Sequence, residues 1–253
     1  TATKRWATGN FGNVTTNTLT TNDLDFGAID LISIPGNIIY VATNGSDART
    51  GTHPQDPVAS IAKALELAGL HDTVYIYPGQ YQEAFPLTVP QGVTVRGHSL
   101  RAVEISPTSG TQSNDAFVMN GDSAVEDVTI KDFYYNSGAT TGHAFRFANN
   151  FRVYERSPYI RNVSVITKGT TTSNTDPRGF AAGDAGRGAY LDGSVAHVDS
   201  REASMLFHSV TFITPNASGL KVTNGARVEW LNCFTYFADK GIEILEGTTG
   251  LKG

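Results

Sequence analysis

Cysteine, methionine and charged residues are scarce in this chain of 253 residues. The single cysteine, Cys233, excludes an internal disulfide framework and any metal site built from several cysteines. Charged residues make up 17% of the chain, below the roughly 25% typical of globular proteins, which argues against a highly charged disordered protein. No apolar run approaches the ~18 residues of a membrane-spanning helix, so we expect no membrane insertion.

Glycine, threonine and asparagine are abundant instead, with 26 glycines in the chain. This composition favours many short strands joined by tight turns over a helical bundle. The formal net charge is −5 and the isoelectric point is near 5.6. An acidic chain is poorly suited to neutralising phosphates, so we expect no nucleic-acid partner.

Two segments differ in composition. Residues 1–37 are polar and thinly hydrophobic, whereas residues 38–253 carry the strand patterns. The first segment cannot by itself bury enough apolar surface to offset its ordering entropy. It is either a flexible tail or a β-rich stem that folds against copies of itself or a partner. The missing initiator methionine and a strand pattern that reaches the last residues suggest a piece of a longer protein, truncated at the C-terminus.

One helix is predicted near residues 57–68. Asp56 is a suitable N-cap, Pro57 suits the first helical position, and Gly69 stands where a C-terminal cap belongs. Apolar residues repeat on one helical face, at Val58, Ile61, Leu65 and Ala68. Because this segment precedes the repeated strands, we expect it to cover the N-terminal end of the fold.

A degenerate repeat occupies residues 102–253. Four short strand patterns each contain a small polar residue near the centre: Asp127, Asn162, Ser209 and Asn232. The intervals are 35, 47 and 23 residues. We interpret them as one unit with a long loop, two units and one unit, respectively; Val222 and Ile244 mark a second register. Strands at this period without intervening helices predict a parallel β-solenoid with stacked apolar columns. The aperiodic stretch from Thr167 to Gly188 is predicted to be an outward loop.

The segment that precedes this repeat resembles a known family. Tyr40-Val-Ala-Thr-Asn-Gly-Ser-Asp47, Pro57-Val-Ala-Ser-Ile-Ala-Lys-Ala-Leu65 and Asp72-Thr-Val-Tyr-Ile-Tyr-Pro-Gly79 are similar to the entry segment of pectate-lyase-like proteins. The resemblance implies an all-β fold, a right-handed parallel β-helix with one N-terminal capping helix. Such entry segments precede lyases, hydrolases and inert shafts alike, so the resemblance implies no activity.

A second resemblance concerns function. Gly188-Ala-Tyr-Leu-Asp-Gly-Ser194, the stretches 201–215 and 223–237, and Thr8-Gly-Asn-Phe-Gly-Asn-Val14 are similar to virion structural proteins of tailed phages that infect marine cyanobacteria. The resemblance implies a tail fibre, spike or baseplate-associated part that contacts other virion proteins. It supplies no catalytic motif.

Four acidic residues are candidates for polysaccharide cleavage: Asp184, Asp192, Asp199 and Glu202. A glycosidase needs two carboxylates about 5 to 9.5 Å apart across the sugar bond. A shift of one 22-residue unit places no carboxylate beside Asp199 or Glu202, and Asp192 lies in an Asp-Gly-Ser turn signal. A calcium-dependent lyase would need Arg187 or Arg201 as base, but no Asp-x-Asp ligand run accompanies them.

Other candidate sites are weaker. The six histidines show no metalloprotease spacing, which favours surface or corner positions, and no metal or cofactor is predicted. Cys233 lies beside repeat positions, so we expect it to be buried. The aromatic residues of 133–154 form either a sugar-stacking platform or core columns, and alternation favours Phe145 and Phe147 pointing inward.

Together these patterns predict a non-enzymatic phage virion component built on a β-helix. It would be a rigid element of the tail or baseplate, possessing loops for host-surface polysaccharide or neighbouring proteins. The sparse first segment and the uncovered C-terminal end both need intermolecular burial, which predicts a homotrimer. The alternative is a polysaccharide depolymerase, a lyase or glycoside hydrolase, on the same scaffold.

Overall fold

A computed structural model describes residues 36–167, 185–198 and 203–253. The predicted stem, apart from its last two residues, and the central part of the predicted loop at 167–188 lie outside these ranges. The description below therefore concerns the strand-rich segment from Gly36 onward.

The strands follow one another in successive coils, and from the second strand onward each coil contributes three. The first coil holds β1 and the helix α1, and six further coils follow within the described ranges. In chain order the elements are β1 (Ile38–Val41) and α1 (Ile61–Leu67); β2 (Thr73–Ile76), β3 (Gly79–Glu83) and β4 (Leu87–Val89); β5 (Thr94–Gly97), β6 (Val103–Pro107) and β7 (Phe117–Met119); β8 (Ala124–Glu126), β9 (Thr129–Lys131) and β10 (His143–Phe147); β11 (Tyr159–Arg161), β12 (Ser164–Ile166) and β13 (Arg187–Asp192), with a 3₁₀ turn at Gly193–Val195; β14 (Ser204–His208), β15 (Thr211–Ile213) and β16 (Ser218–Thr223); and β17 (Arg227–Leu231), β18 (Phe234–Tyr236) and β19 (Lys240–Ile244).

Equivalent strands of successive coils pair in parallel and form three sheets. Sheet 1 has the order β1-β2-β5-β8-β11-β14-β17, sheet 2 has β3-β6-β9-β12-β15-β18, and sheet 3 has β4-β7-β10-β13-β16-β19. Every named strand pair is parallel, as expected when a chain winds repeatedly around one axis. The fold is an all-β right-handed parallel β-helix, which confirms the sequence prediction.

The core lies inside the three sheets and consists of stacked columns. In sheet 1, Val74, Val95 and Val125 occupy paired positions and are fully buried. Sheet 3 contributes Phe117 and Phe145, whose rings stack with centroids 5.9 Å apart. Burying each such side chain contributes about 1.5–3 kcal/mol. Phe145 and Phe147 point inward, as the alternation predicted.

The four aligned polar residues mark the corner between sheets 1 and 2. Asp127, Asn162, Ser209 and Asn232 each follow a sheet 1 strand and have φ values of 58°, 51°, 55° and 51°. Asn and Asp adopt this left-handed conformation more readily than most residues. Each strand pattern recognised in the sequence is therefore two strands joined by a two-residue corner, whose first residue is left-handed.

The interval of 47 residues was interpreted wrongly. Ile160 pairs with Phe207 in adjacent coils, so a single coil spans this interval. The extra residues lie between strands, after β12 and after β13, and the strands on either side keep their parallel pairing. The shorter intervals were interpreted correctly, since Val125 pairs with Ile160 and Val222 pairs with Ile244.

The helix is present but begins later than predicted. Its N-cap is Ser60, whose Oγ accepts a hydrogen bond from the Lys63 amide at 3.1 Å. Asp56 is not the cap because Val58 forms a parallel β-bridge with Val41, which keeps this stretch extended. Ile61, Ala64 and Leu65 are buried, and the helix packs against β1 to β4. The C-cap is Ala68 rather than Gly69.

At the opposite end, the last coil leaves apolar side chains in contact with solvent. Ile242 and Ile244 continue the buried columns of Leu220 and Val222, yet they are 51% and 56% exposed. Trp230 is half-buried and stacks on Phe212 with centroids 5.5 Å apart. Among the described residues, α1 is far too short to cross a bilayer, and no other helix is long and apolar enough to do so.

Candidate functional site

The outer surface of sheet 3 carries a group of cationic and aromatic side chains on consecutive coils. Arg146, Tyr190 and Lys221 occupy paired positions on β10, β13 and β16. They point outward because their neighbours along each strand fill the core columns. Together with Tyr135 and Arg187 they form a surface that we call the sheet 3 ledge.

Two aromatic rings of the ledge hold three cations. The Arg146 guanidinium carbon lies 5.0 Å from the centroid of the Tyr190 ring, and the Lys221 Nζ lies 5.3 Å from it. The guanidinium of Arg187 lies over the Tyr135 ring, with Cζ 3.5 Å from the centroid. These are cation–π distances, and they place positive charge on a flat aromatic surface that is half-exposed.

A buried pair supports the ledge from below. Asp115 precedes β7, His143 begins β10, and both are less than a tenth exposed. Asp115 Oδ1 accepts hydrogen bonds from the Gly142 amide at 3.0 Å and the His143 amide at 2.9 Å. His143 Nδ1 lies 3.1 Å from the same oxygen, and Arg146 donates to Oδ2 at 3.1 Å. Asp115 thus fixes both the imidazole and the guanidinium.

Burial and hydrogen bonding set the charge of this pair. Burial lowers the pKa of His143, because the imidazolium form would be desolvated. Burial opposes ionisation of Asp115, but its hydrogen bond with His143 and the nearby Arg146 charge hold the carboxyl pKa below its ordinary value. The favoured state is a neutral imidazole beside a carboxylate.

A second carboxylate lies at the edge of the ledge. Asp192 ends β13 and accepts hydrogen bonds from the Ser194 amide at 2.9 Å, Asn224 Nδ2 at 2.7 Å and the Tyr190 hydroxyl at 3.2 Å. Burial opposes ionisation, but these hydrogen bonds hold the pKa of Asp192 below its ordinary value. Burial and the nearby Asp192 charge raise the pKa of Tyr190. A cleft of about 410 Å³ opens beside both side chains toward Glu246.

One ledge atom has an unmet hydrogen-bonding capacity. Arg187 Nε is buried and has no hydrogen-bond partner among the described residues. Buried donors are rarely left unpaired. A carboxylate is the acceptor that a guanidinium binds most strongly.

The structure describes only some of the site residues that were predicted from the sequence. Asp192 is in the described part of the chain, in the predicted Asp-Gly-Ser turn, where its side chain caps the 3₁₀ turn and belongs to the ledge. Asp184, Asp199, Glu202 and Arg201 lie outside the described residues, so their positions stay predictions. Arg187 is located at Tyr135. The described residues hold no group of three His, Cys, Asp or Glu side chains arranged for a metal ion.

Two expectations about single residues were wrong in part. His143 is 3% exposed, rather than on the surface, because Asp115 offers a buried partner. Cys233 is only partly buried: its Sγ interacts with the Val210 amide and the Leu231 carbonyl oxygen in the last coil. The sequence does not predict four residues of the site, because their spacing along the chain is irregular: Asp115, Arg146, Tyr190 and Lys221.

Comparison with known proteins addresses the fold and the family. Residues 43–179 match the family described as "Protein of unknown function (DUF1565)", and this match covers more than half of the chain. The chain belongs to the DUF1565 family. The DUF1565 match includes Asp115, His143 and Arg146 of the ledge and its support, whereas Tyr190 and Lys221 lie beyond it. No curated protein matches the sequence.

Two solved structures are similar to this DUF1565 protein. A rhamnogalacturonan lyase is 15% identical with a TM-score of 0.49, and the match covers 84% of this chain and 60% of the lyase. A pectin methylesterase in complex with a hexasaccharide is 15% identical with a TM-score of 0.42, and the match covers 78% of this chain and 66% of the esterase. This DUF1565 chain therefore spans less than two thirds of either neighbour.

Proposed function

We propose that this protein is a rigid structural component of a phage tail, as a fibre, a spike or a baseplate-associated part, that binds acidic polysaccharide on the sheet 3 ledge. The observation that carries the binding role is the placement of Arg146, Tyr190 and Lys221 in register on three consecutive coils. The virion role is supported by the resemblance of the segments at 188–194, 201–215 and 223–237 to phage structural proteins.

The chemistry of the ledge favours an acidic glycan. The faces of Tyr135 and Tyr190 suit the apolar faces of sugar rings, and Arg187 and Lys221 suit carboxylates of uronic acids. The Arg146 charge is already balanced by Asp115, so it holds the Tyr190 ring in place. Parallel strands stacked on a packed core keep these groups at fixed spacing.

Binding of hexagalacturonate, measured by calorimetry, tests the ledge. We expect Tyr190→Ala and Lys221→Ala each to weaken binding about tenfold, since each removes a stacking or charge contact. Tyr154→Ala is the matched control, because Tyr154 is 57% exposed and lies outside the ledge. Equal affinity of the Tyr190→Ala variant and the unchanged protein would refute this binding site.

Electron microscopy tests the virion role. Antibodies against the chain should label the tails of phage particles in electron micrographs, and labelling of no particle would refute the virion role.

A depolymerase on the same scaffold is the second candidate. It is favoured by one observation: Asp192 and Tyr190 are hydrogen-bonded at 3.2 Å beside an open cleft and near two cations. Incubation with acidic polysaccharide distinguishes the two candidates. A glycoside hydrolase would release new reducing ends, and a lyase would also give unsaturated products that absorb in the ultraviolet. Binding without either product supports the structural role.

We propose in addition that the protein forms a homotrimer. Large apolar side chains are exposed in the last coil, and they are Leu231, Phe234, Tyr236, Phe237, Ile242 and Ile244. The rings of Phe234, Tyr236 and Phe237 form a contiguous patch, and contiguous exposed apolar surface marks interfaces. Light scattering should give three times the chain mass of 27.0 kDa, and the double variant Phe234→Ser, Tyr236→Ser should give the chain mass. A monomer at all concentrations for the unchanged protein would refute the proposal.

A further inference from the structure

Three tyrosines form an aromatic surface at the N-terminal end of sheet 1. Tyr40 and Tyr75 occupy paired positions on β1 and β2, and Tyr77 follows just after β2. Their strand neighbours Val41 and Ile76 are fully buried, so the rings point outward. None of the three rings belongs to the core or to the sheet 3 ledge.

The three rings contact one another. Tyr40 and Tyr77 are nearly parallel, with an interplanar angle of 21° and centroids 6.1 Å apart. Tyr75 meets each of them edge-on, at 6.1 and 5.5 Å. The Tyr75 hydroxyl is hydrogen-bonded to His98 Nδ1 at 2.8 Å, which fixes the central ring. The result is an aromatic surface of defined shape, and each ring is half-exposed.

The surface continues into a cleft, which we call the entry cleft. Its volume is about 590 Å³, within the range of roughly 300–1,000 Å³ for small-molecule sites. Tyr77, Pro54 and Pro78 supply apolar walls. Asn44, Gln55 and Arg49 supply polar groups at the rim, and all three are exposed.

The loop that forms the cleft is held in place by hydrogen bonds. The Ser46 amide donates to the Pro57 carbonyl oxygen at 3.1 Å, and the Tyr40 amide donates to the Gly51 carbonyl oxygen at 2.8 Å. The Asp47 carboxylate accepts from the Ala59 and Ser60 amides at 2.8 and 2.9 Å. A ligand would therefore meet a preformed site, which lowers the entropic cost of binding.

The charge of the cleft separates it from the ledge. Arg49 is the one charged side chain that the described part of the chain contributes to the cleft lining. Its Nε lies 2.9 Å from the Asp56 carboxylate, so its charge is already paired. Amide side chains at the rim can both donate to and accept from hydroxyl groups. Aromatic and proline walls suit the apolar faces of sugar rings.

We propose that the entry cleft and its tyrosine surface bind a neutral oligosaccharide, as a second glycan site independent of the acidic-glycan site on the ledge. The ring of Tyr77 stacks on a sugar face inside the cleft. Asn44 and Gln55 hydrogen-bond to sugar hydroxyls, and Tyr40 extends the stacking surface for further sugar units. The proposal does not depend on the proposed function, because the two sites share no residue.

Binding of neutral hexaoses tests this site. Saturation-transfer NMR and calorimetry with maltohexaose, cellohexaose and mannohexaose should identify at least one ligand. We expect Tyr77→Ala to weaken its binding about tenfold, as loss of one stacked ring predicts, and Gln55→Ala to weaken it several-fold. Gln55 is exposed, so that variant should fold normally.

The control variants separate the two sites. Tyr190→Ala should leave neutral-hexaose binding unchanged, and Tyr77→Ala should leave hexagalacturonate binding unchanged. The proposal is overturned if none of the three hexaoses binds, if Tyr77→Ala and Gln55→Ala bind the ligand as tightly as the unchanged protein, or if Tyr190→Ala abolishes neutral binding. Displacement of the hexaose by decaproline would also overturn it, since proline-rich peptides use similar aromatic grooves.

Discussion

His143 and Asp115 are a buried pair whose Nδ1 and Oδ1 atoms lie 3.1 Å apart, although 28 positions separate them in the chain. Because the imidazole is buried, its pKa in the folded protein lies below the ordinary value of 6.5. The unfolded chain therefore binds a proton that the folded chain rejects. Stability from this group is present above about pH 6.5 and is lost as the pH falls below it.

We predict that His143→Gln reduces the dependence of stability on pH. Between about pH 6.5 and 5, the unchanged protein should lose up to about 1.4 kcal/mol per pH unit through this group, and the variant should lose less. Urea unfolding at several pH values measures both. His53→Gln, at an exposed histidine between β1 and α1, is the matched control. Equal slopes for the His143→Gln variant and the unchanged protein would contradict the prediction.

The second prediction concerns Glu126, which accepts hydrogen bonds from two arginines on the outer face of sheet 1. Its Oε2 lies 2.7 Å from Arg96 Nη2 and 3.0 Å from Arg161 Nη2. The Glu126 side chain is 7% exposed, whereas the arginines are 45% and 41% exposed, so solvent screens part of the interaction. We expect Glu126→Gln to lower the free energy of unfolding by about 2 kcal/mol, because the charge that separates the two guanidinium groups is then lost and they repel each other.

The salt dependence of the Glu126→Gln effect tests whether repulsion between the two arginines causes it. The loss should shrink at about 1 M NaCl, where repulsion between the exposed arginines is screened. Glu66→Gln is the control: Glu66 pairs with Lys63 at 3.0 Å, but its side chain is 69% exposed. That variant should change stability by less than about 0.5 kcal/mol. A salt-independent loss at Glu126 would indicate a packing defect instead of repulsion.

The third prediction concerns the left-handed corner at Asn162, which donates a hydrogen bond to the Asp127 carboxylate of the preceding coil. Asn162→Ala should cost about 1–2 kcal/mol, because alanine is strained at φ 51° and the hydrogen bond is lost. Asn162→Gly should cost less, because glycine adopts this conformation without strain. Thermal unfolding ranks the variants, with Asn149→Ala at an exposed turn as control. A glycine variant less stable than the alanine variant would contradict the corner argument.

The fourth prediction concerns Glu83, a buried carboxylate of β3 that holds the start of α1. Its oxygens accept from the Ile61 amide at 2.7 Å and the Ala62 amide at 3.2 Å. Burial raises the pKa of Glu83 above its ordinary value of 4.5, and the two amides offset only part of that effect. A carboxyl with a raised pKa in the folded state stabilises the fold at low pH, and this contribution is lost as the pH rises.

We therefore expect the stability difference between the unchanged protein and Glu83→Gln to depend on pH. The unchanged protein should gain relative to the variant as the pH falls toward 4.5, which is opposite in sign to the His143 effect. Glu83→Ala should be less stable than Glu83→Gln at every pH, because two buried amides lose their acceptor. Urea unfolding of the three proteins tests both statements. A pH-independent difference would show that Glu83 stays ionised throughout.

Much of the fold was predictable because a solenoid repeats its local rules. Asp127, Asn162, Ser209 and Asn232 were aligned from the sequence, and all four prove to be corner residues with left-handed backbone. The position of the helix was predicted correctly, but its first residue was not. Its start depends on the bridge of Val58 to Val41 and on the Asp47 carboxylate, which are contacts between distant residues.

The candidate site was less predictable for the same physical reason. Arg146, Tyr190 and Lys221 lie side by side because their strands pair in register. The coils between them differ in length, so no fixed period in the sequence connects these positions. Asp115 and His143 also come from different coils. Among the acidic candidates from the sequence, Asp192 was found at the edge of the ledge, where its partners Tyr190 and Asn224 define its role.

The two-residue corner between sheets 1 and 2 has an evolutionary consequence. It repeats without inserted residues after β8, β11, β14 and β17, while other corners accommodate segments of very different length. The stacking of the coils and the length of the segments at the other corners are thus determined by separate positions in the sequence. Selection can lengthen, shorten or exchange a segment at the other corners, and so alter the outer surface, while the parallel pairing of the strands from coil to coil is unchanged.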